Sequence, residues 1–162
     1  MTKSAGDTLP EATLRRMGAD GPEELSASDL TRGRKVVIFS VPAAFSPTCQ
    51  EAHVPGFIAA HDKLAAKGVD EVICISVNDP FVMKAWAAAT GAADAGITML
   101  ADADGAFTKA MGMDFDAPPV GFYGRSKRYA MIVEDGKIAH IAAEESPGVC
   151  EVSSAEAMLE KL

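Results

Sequence analysis

The sequence predicts an α/β protein in which a central mixed sheet is flanked by helices. Two observations carry this prediction: strand-like and helix-like segments alternate through most of the chain, and the alternation ends in a hairpin. Alternating strands and helices are typical of a parallel sheet covered by helices, and a terminal hairpin adds antiparallel strands to it. No low-complexity linker interrupts the sequence, so we expect residues 1–162 to form a single domain.

The first half of this pattern contains two buried strands, each followed by a helix. Residues 35–41 and 69–77 are apolar runs rich in β-branched residues, as is typical of buried parallel strands. A helix is expected from about Gln50, and Pro55 should bend or break it because proline lacks a backbone N–H. After the second run, residues 78–80 supply a capping side chain and a first-turn proline for another helix.

The second half adds one more strand and helix before the hairpin. Residues 97–101 are expected to form a strand, and residues 106–111 a short helix. The strands expected at residues 129–133 and 137–142 flank an Asp-Gly dipeptide, which is a strong hairpin signal. Residues 153–156 fit a capping box and predict a final helix.

Composition and charge narrow the classes of function. Hydrophobic residues make up 48% and charged residues 23% of the 162-residue chain, which is typical of a globular protein large enough to bury a core. The formal net charge of -8 argues against nucleic acid or an anionic membrane as the main partner, because both require a basic surface. We find neither a secretory signal nor the roughly 18 consecutive apolar residues of a membrane span. The sequence therefore predicts a cytoplasmic protein.

The most informative segment contains Cys49, just after the first expected strand and at the start of a helix. The chain has three cysteines, and an odd count favours reactive or buried thiols over a disulfide framework. A cysteine in the first helical turn lies among unpaired backbone N–H groups at the positive end of the helix dipole, which favours the nucleophilic thiolate. The alternative is a small buried thiol that only fills the core, as most free cysteines do.

This segment resembles the active-site signature of the peroxiredoxins, with Pro42, Ser46 and Cys49 at the spacing Pro-x-x-x-Ser-x-x-Cys. The run through residues 51–57 is similar to the type II, or peroxiredoxin-5-like, branch. Further blocks resemble this branch in the same order: residues 74–82, 100–102 and 125–131. The resemblance implies a thioredoxin-like fold and a thiol-specific peroxidase acting on hydrogen peroxide and small alkyl hydroperoxides. No Cys/His set has zinc-site spacing, and we expect neither a metal nor a cofactor.

The resemblance also implies roles for individual residues. Cys49 is expected to attack the terminal peroxide oxygen and become a sulfenic acid, while Pro42 shields its sulfur from water. Ser46 stands where the family usually has threonine, and its hydroxyl can make the same hydrogen bond to peroxide. Arg128 matches the arginine that fixes the thiolate and the peroxide, and its permanent charge and several donors suit that role. Arg125 is the competing candidate, and a solvated basic cluster is the alternative for both arginines.

Two further positions bear on other kinds of thiol chemistry, a Cys–His pair and a Cys-x-x-Cys motif. His53 lies four residues after Cys49 and hence on the same face of a regular helix, so a Cys–His pair is another way to activate the nucleophile. We favour the arginine, because the family pattern uses it. Ala52 stands where a Cys-x-x-Cys motif requires its second cysteine, which argues against a dithiol–disulfide oxidoreductase.

The step that regenerates Cys49 stays open at this point. The favoured reductant is an external thiol, glutathione with glutaredoxin or else thioredoxin, and the alternative is an internal disulfide with Cys150 in an expected loop. Cys74 is expected to be a buried thiol in a central strand, although its position matches a second cysteine of plant type II members. A peroxide-sensing protein that passes a disulfide to a binding partner is the alternative function. The resemblance also suggests a homodimer that makes contact near the active-site loops.

Overall fold

The computed structural model describes residues 2–162, which form nine strands and five α-helices. The strands are β1 (Thr13–Gly18), β2 (Gly21–Ser26), β3 (Lys35–Val41), β4 (Glu71–Ser76), β5 (Ile97–Ala101), β6 (Asp114–Ala117), β7 (Phe122–Ser126), β8 (Tyr129–Glu134) and β9 (Lys137–Ala143). The α-helices are α1 (Ala27–Thr31), α2 (Val54–Ala66), α3 (Pro80–Thr90), α4 (Ala106–Met111) and α5 (Ala155–Leu159). A π-helical turn, Cys49–His53, leads directly into α2.

Seven of these strands form one mixed sheet in the order β2-β1-β5-β4-β3-β8-β9. The central strands β3, β4 and β5 are parallel, whereas β8 pairs antiparallel with β3 and β1 pairs antiparallel with β5. The remaining strands, β6 and β7, form a small sheet of their own. The mixed α/β sheet that the alternating pattern and the terminal hairpin predict is therefore confirmed.

Helices cover both faces of the sheet, because its central strands are apolar on both sides. Successive side chains of a strand point to opposite faces. Phe39 of β3 and Cys74 of β4 therefore join residues of α2, α3 and α5 in one core cluster, which also contains Cys49. Ile38 and Ile73 point the other way and pack with residues of α1 and α4. Within the described residues, no helix is long and apolar enough to cross a membrane.

The local signals in the sequence explain several element boundaries. The side chain of Asp79 caps α3 by accepting a hydrogen bond of 2.9 Å from the backbone N–H three residues later, and Pro80 occupies the first turn. Asp135 and Gly136 have φ values of 48° and 75°, and such left-handed conformations are those that a tight hairpin turn between β8 and β9 requires.

The expected capping box before α5 is wrong in its assignment of the capping residue. Ser154, not Ser153, caps the helix, and its side chain accepts a hydrogen bond from the backbone N–H of Ala157. The hydroxyl of Ser153 donates instead to the buried carboxylate of Glu144. The Ser153 side chain, which the local pattern assigns to the cap, is therefore bonded to Glu144 outside the helix.

Candidate active site

Cys49 lies beyond the carboxyl end of the central strand β3, in the first turn of the following helix. Helical conformation begins at Pro47, and the π-helical turn begins at Cys49 itself. The backbone N–H of Val54 bonds back to the carbonyl of Cys49, five residues earlier, which is the hydrogen bond of a π-helix. Pro55 has no N–H to donate, so the α-helical pattern cannot continue unbroken through this point. The break that Pro55 predicts is found as the change from π-helical to α-helical geometry at Val54.

The sulfur of Cys49 has two polar side chains within hydrogen-bond distance. Oγ of Ser46 lies 2.8 Å from Sγ, and Nη2 of Arg128 lies 3.0 Å from it. The Ser46 hydroxyl also lies 2.8 Å from the carbonyl oxygen of Ala43. A hydroxyl has one proton, so it donates to Ala43 when the thiol of Cys49 donates to it, and it can turn to donate to the thiolate. Ser46 can therefore form a hydrogen bond with both the thiol and the thiolate of Cys49.

The guanidinium of Arg128 is almost fully buried, with 2% of the residue exposed, and it is fixed by three partners. Nε and Nη2 donate to the carbonyl oxygen of Pro147 at 3.2 and 3.0 Å. Nη1 donates to Nδ1 of His53 at 2.9 Å, and Nη2 also meets the sulfur of Cys49. A buried charge requires such partners, and a permanent positive charge at this distance stabilises negative charge on the sulfur.

His53 contacts Arg128 rather than activating Cys49. Its Nε2 donates to the carbonyl oxygen of Ser153 at 2.8 Å, which leaves Nδ1 to accept from the arginine. Burial, and then the charge of Arg128, lower the pKa of His53 to about 3, so the imidazole is neutral at physiological pH. A group with so low a pKa is a poor acceptor for the thiol proton. The Cys–His alternative finds no support in this geometry, and the contact of His53 with Arg128 was missed in the sequence.

The other residues singled out in the sequence take different positions. Arg125 lies away from the sulfur, because its Nη1 donates to the carbonyl oxygen of Val77 at 2.9 Å. Pro42 is buried immediately after β3, in the loop that leads to Cys49. The structure thus brings Arg128, and not Arg125, to the sulfur.

The remaining two cysteines differ in their surroundings, and all three thiols are free. Cys74 is fully buried in β4, and burial raises the pKa of its thiol, with the negative charge of Cys49 adding to the effect. Cys150 is partly exposed in the loop between β9 and α5, and burial raises its pKa as well. Among residues 2–162, no group of three or more His, Cys, Asp or Glu side chains could hold a metal ion.

Comparison with known proteins shows the family to which the chain belongs. The family described as Redoxin matches residues 4–159. The chain is a peroxiredoxin of the redoxin family. It is 46% identical to the chloroplastic peroxiredoxin-2E-2 of Oryza sativa subsp. japonica over 99% of this chain and 73% of that protein. It is 43% identical to peroxiredoxin-2C of the same plant over 98% of both chains.

Similarity to solved structures agrees with the assignment of this chain to the peroxiredoxins. Reduced Prx3 of Vibrio vulnificus, determined in complex with hydrogen peroxide, is 47% identical and superposes with a TM-score of 0.92 over 99% of both chains. The similarity to type II peroxiredoxins and the thioredoxin-like fold are therefore confirmed. As a member of this family, the peroxiredoxin is a thiol-dependent peroxidase.

Proposed function

We propose that Cys49 is the peroxidatic cysteine and that the enzyme reduces hydrogen peroxide and small alkyl hydroperoxides. The observation that carries this proposal is the convergence of Ser46 and Arg128 on one sulfur at the start of a helix. A hydroxyl and a permanent positive charge, placed on a sulfur in the first turn of a helix, together favour the thiolate. The similar Vibrio vulnificus protein was crystallised with hydrogen peroxide in its reduced form, which supports peroxide as the substrate.

In the proposed reaction, the thiolate of Cys49 attacks the terminal oxygen of the peroxide. An S–O bond forms as the O–O bond breaks, the sulfur is oxidised to a sulfenic acid, and the peroxide is reduced. The leaving oxygen carries away the electron pair and is protonated to water or an alcohol. Negative charge moves from sulfur to the leaving oxygen during this step, and the fixed guanidinium of Arg128 stabilises it along the way.

Ser46 and Pro42 complete the proposed site. The Ser46 hydroxyl can donate to the peroxide, since its proton is not committed to a single acceptor. Pro42 is buried beside the loop and contributes no N–H, so it helps to exclude water from the sulfur. The side chain of Cys49 is 0% exposed, which favours small peroxides over bulky ones. The chemistry requires only the thiol and a peroxide, so we propose that no cofactor takes part.

An external thiol is the proposed reductant, with glutathione and glutaredoxin favoured over thioredoxin. Cys74 is fully buried in the interior of the sheet, and burial raises the pKa of its thiol, so it is a poor partner for Cys49. Cys150 lies in a loop that hydrogen bonds to Arg128 and Glu144 hold in place, and burial raises the pKa of its thiol, so we disfavour it as a partner for Cys49. We further propose a cytoplasmic location, although some relatives are chloroplastic and others mitochondrial.

A homodimer is proposed through the face that surrounds the active-site loop. Large apolar side chains are exposed there, and Phe45 and Phe81 are 48% and 64% exposed. Phe45 lies in the loop before Cys49, with its ring centroid 6.3 Å from that of Trp86 in α3, and Phe81 lies in the first turn of the same helix. Exposed apolar side chains of this size are typical of protein interfaces. Sedimentation of the native chain and of Phe81→Asp tests the dimer, which the added charge should weaken.

Steady-state peroxide consumption tests the proposed function and its reductant together. Wild type, Cys49→Ser and Cys150→Ser are compared with glutathione plus glutaredoxin and with a thioredoxin system. We expect Cys49→Ser to lose all turnover and Cys150→Ser to keep glutaredoxin-supported turnover. Retained turnover in Cys49→Ser contradicts the assignment of the peroxidatic cysteine. A single stoichiometric oxidation without turnover points to the peroxide-sensing alternative.

Mass analysis under non-reducing conditions separates the two routes of regeneration. After one equivalent of peroxide, we expect a sulfenic acid or a glutathione adduct on Cys49. A dominant intramolecular disulfide between Cys49 and Cys150, together with loss of turnover in Cys150→Ser, would overturn the external-thiol proposal.

A further inference from the structure

The loop of residues 145–152 supplies an acceptor that holds the active-site arginine. The carbonyl oxygen of Pro147 in this loop accepts from both Nε and Nη2 of Arg128. At the end of the loop, the carbonyl oxygen of Ser153 accepts from Nε2 of His53, whose other ring nitrogen accepts from Arg128. The orientation of the guanidinium therefore depends on where two backbone carbonyls lie.

A single carboxylate closes this loop. Oε2 of Glu144 accepts hydrogen bonds from the backbone N–H of Glu151 at 2.7 Å and of Ser153 at 2.8 Å, and from the Ser153 hydroxyl at 2.6 Å. Glu144 is buried, with 8% of the residue exposed, whereas residues 145–149 are exposed. Its backbone N–H also donates to the carbonyl oxygen of Arg128 at 2.9 Å. The Glu144 side chain thus connects the start of the loop, where the backbone is bonded to Arg128, with the end of the loop at Ser153.

The charge of Glu144 suits this role. Burial alone raises the pKa of a carboxyl group, but hydrogen bonds from Ser153, Glu151 and Val152 outweigh it and leave the pKa of Glu144 below its ordinary value. The group is therefore an anion at neutral pH, and hydrogen bonds to an anion are roughly twice as strong as those between neutral groups. An exposed loop without such an anchor is mobile.

We propose that Glu144 is a positioning residue for peroxide reduction. By fixing the loop, it places the carbonyls of Pro147 and Ser153 so that Arg128 and His53 keep the orientation in which Nη2 of Arg128 faces the sulfur of Cys49. Glu144 acts through the arginine and touches neither the sulfur nor the substrate. The inference rests on the proposed role of Cys49 and extends it to a residue outside the motif.

Two reactions of the same sulfur distinguish positioning from mere structural support. Reaction of Cys49 with iodoacetamide needs a thiolate but no aligned donor for a leaving oxygen, whereas reaction with hydrogen peroxide needs both. Loss of positioning lowers the peroxide rate relative to the alkylation rate. A simple loss of stability lowers the unfolding midpoint without changing that ratio in the folded protein.

The experiment measures both rate constants on the full reduced chain in single-turnover mode, at a pH where alkylation no longer rises. Glu144→Ala and Glu144→Gln are compared with Glu145→Gln, a matched control at the exposed neighbouring position. We expect Glu144→Ala to lower the ratio of peroxide to alkylation rate by about 10- to 100-fold, since a misplacement near 1 Å can cost about 100-fold. Glu144→Gln should lie between Ala and wild type, because an amide oxygen still accepts, and Glu145→Gln should match wild type.

An unchanged ratio in both Glu144 variants overturns the inference, as does an equal loss in Glu145→Gln. If Glu144→Ala does not fold, Glu144→Gln and Ser153→Ala decide the question. Ser153→Ala removes one donor to the carboxylate while keeping the carbonyl that His53 uses, and it should also lower the ratio. Failure of the proposed function looks different, because it appears as peroxide turnover that survives in Cys49→Ser.

Discussion

Cys49 and Cys74 are two completely buried thiols in one core cluster, and their surroundings direct them to different chemistry. Cys74 lies in the middle of β4, opposite Phe39 of β3 and Met99 of β5, and burial raises the pKa of its thiol. Cys49 is as deeply buried, but hydrogen-bond donors of Ser46 and Arg128 face its sulfur. The two sites differ in the donors aimed at the sulfur and not in exposure, so we expect only Cys49 to be reactive.

The positions of the two residues in the fold explain why only one receives donors. The backbone N–H groups around Cys74 are used in the ladders of a central strand, with neighbours on both sides. Cys49 lies where a parallel strand has ended and a helix begins, and the first N–H groups of a helix have no intrahelical partner. The carboxyl edge of the parallel strands is also where loops can bring distant side chains together.

Of the substitutions considered, removal of Arg128 should bring the surroundings of Cys49 closest to those of Cys74. We expect Arg128→Ala to slow single-turnover oxidation by hydrogen peroxide about 100-fold, the effect of losing one fixed donor to a developing charge. Arg125→Ala is the matched control and should react close to the wild-type rate, because Arg125 donates to Val77 instead. Stopped-flow oxidation of both variants measures this. A greater loss in Arg125→Ala than in Arg128→Ala would show that Arg125, and not Arg128, supports the reaction.

His53, which accepts a hydrogen bond from Arg128, should also make stability depend on pH. The pKa of His53 is about 3 in the folded chain, against about 6.5 for an unfolded histidine. The unfolded state therefore binds the extra proton between these values, and the free energy of unfolding falls as the pH drops below about 6.5. The expected loss at pH 5 is about 2 kcal/mol.

Urea unfolding at pH 7 and pH 5 measures this loss. His53→Asn should show a smaller decrease than wild type between the two pH values, because it has no imidazole to protonate on unfolding. His61→Asn, which changes a partly exposed histidine, serves as the control and should keep the wild-type decrease. Equal decreases in wild type and His53→Asn would contradict the neutral state of His53.

Loss of the hydroxyl should have a smaller effect than loss of the arginine. We expect Ser46→Ala to slow peroxide reduction about tenfold, the usual effect of removing one hydrogen bond to a charged group. Ser46→Thr keeps the hydroxyl and should react close to the wild-type rate. Single-turnover rates of the two variants test this, and an equal loss in both would mean that side-chain shape matters more than the hydrogen bond.

The smallest effect is expected at the other buried cysteine. Cys74→Ala should leave peroxide turnover unchanged and lower the free energy of unfolding by about 1 kcal/mol, as is common for a substitution that shortens a buried side chain. Peroxide consumption and urea unfolding measure the two quantities. Native-state alkylation of Cys74 as fast as that of Cys49 would contradict the comparison.

Strong local patterns predict the centre of this fold, and weak ones leave out its edges. β3, β5 and α4 have the bounds that their apolar runs and turn signals predict. The edge strand β2 and its neighbour β1 are mostly half-exposed and polar, and α1 has only five residues, so none of them has a marked periodicity. Short elements of this kind depend on pairing with the rest of the sheet, which a local pattern does not contain.

The candidate site divides in the same way. The motif around Cys49 predicts which residues of its own loop face the sulfur, and the block around Arg128 supplies the arginine. The contacts behind that arginine were not predicted, because they join residues far apart in the chain. His53 and Ser153 are separated by 100 positions, and Glu144 binds the end of a loop that has no sequence signature.

The π-helical turn sets the rotational position of Cys49 around the helix axis. Phe57 and Leu64 of α2 are fully buried and fix the helix against the sheet. Deleting one residue between Cys49 and Val54 would convert the turn to α-helical geometry, which rotates the sulfur by about 100° and shifts it by about 1.5 Å. Because that rotation carries the sulfur away from both Ser46 and Arg128, we expect the length of this segment to matter more than the identity of its exposed residues, 50–52. A single-residue insertion or deletion here would therefore produce a chain with the same fold and no peroxidase activity.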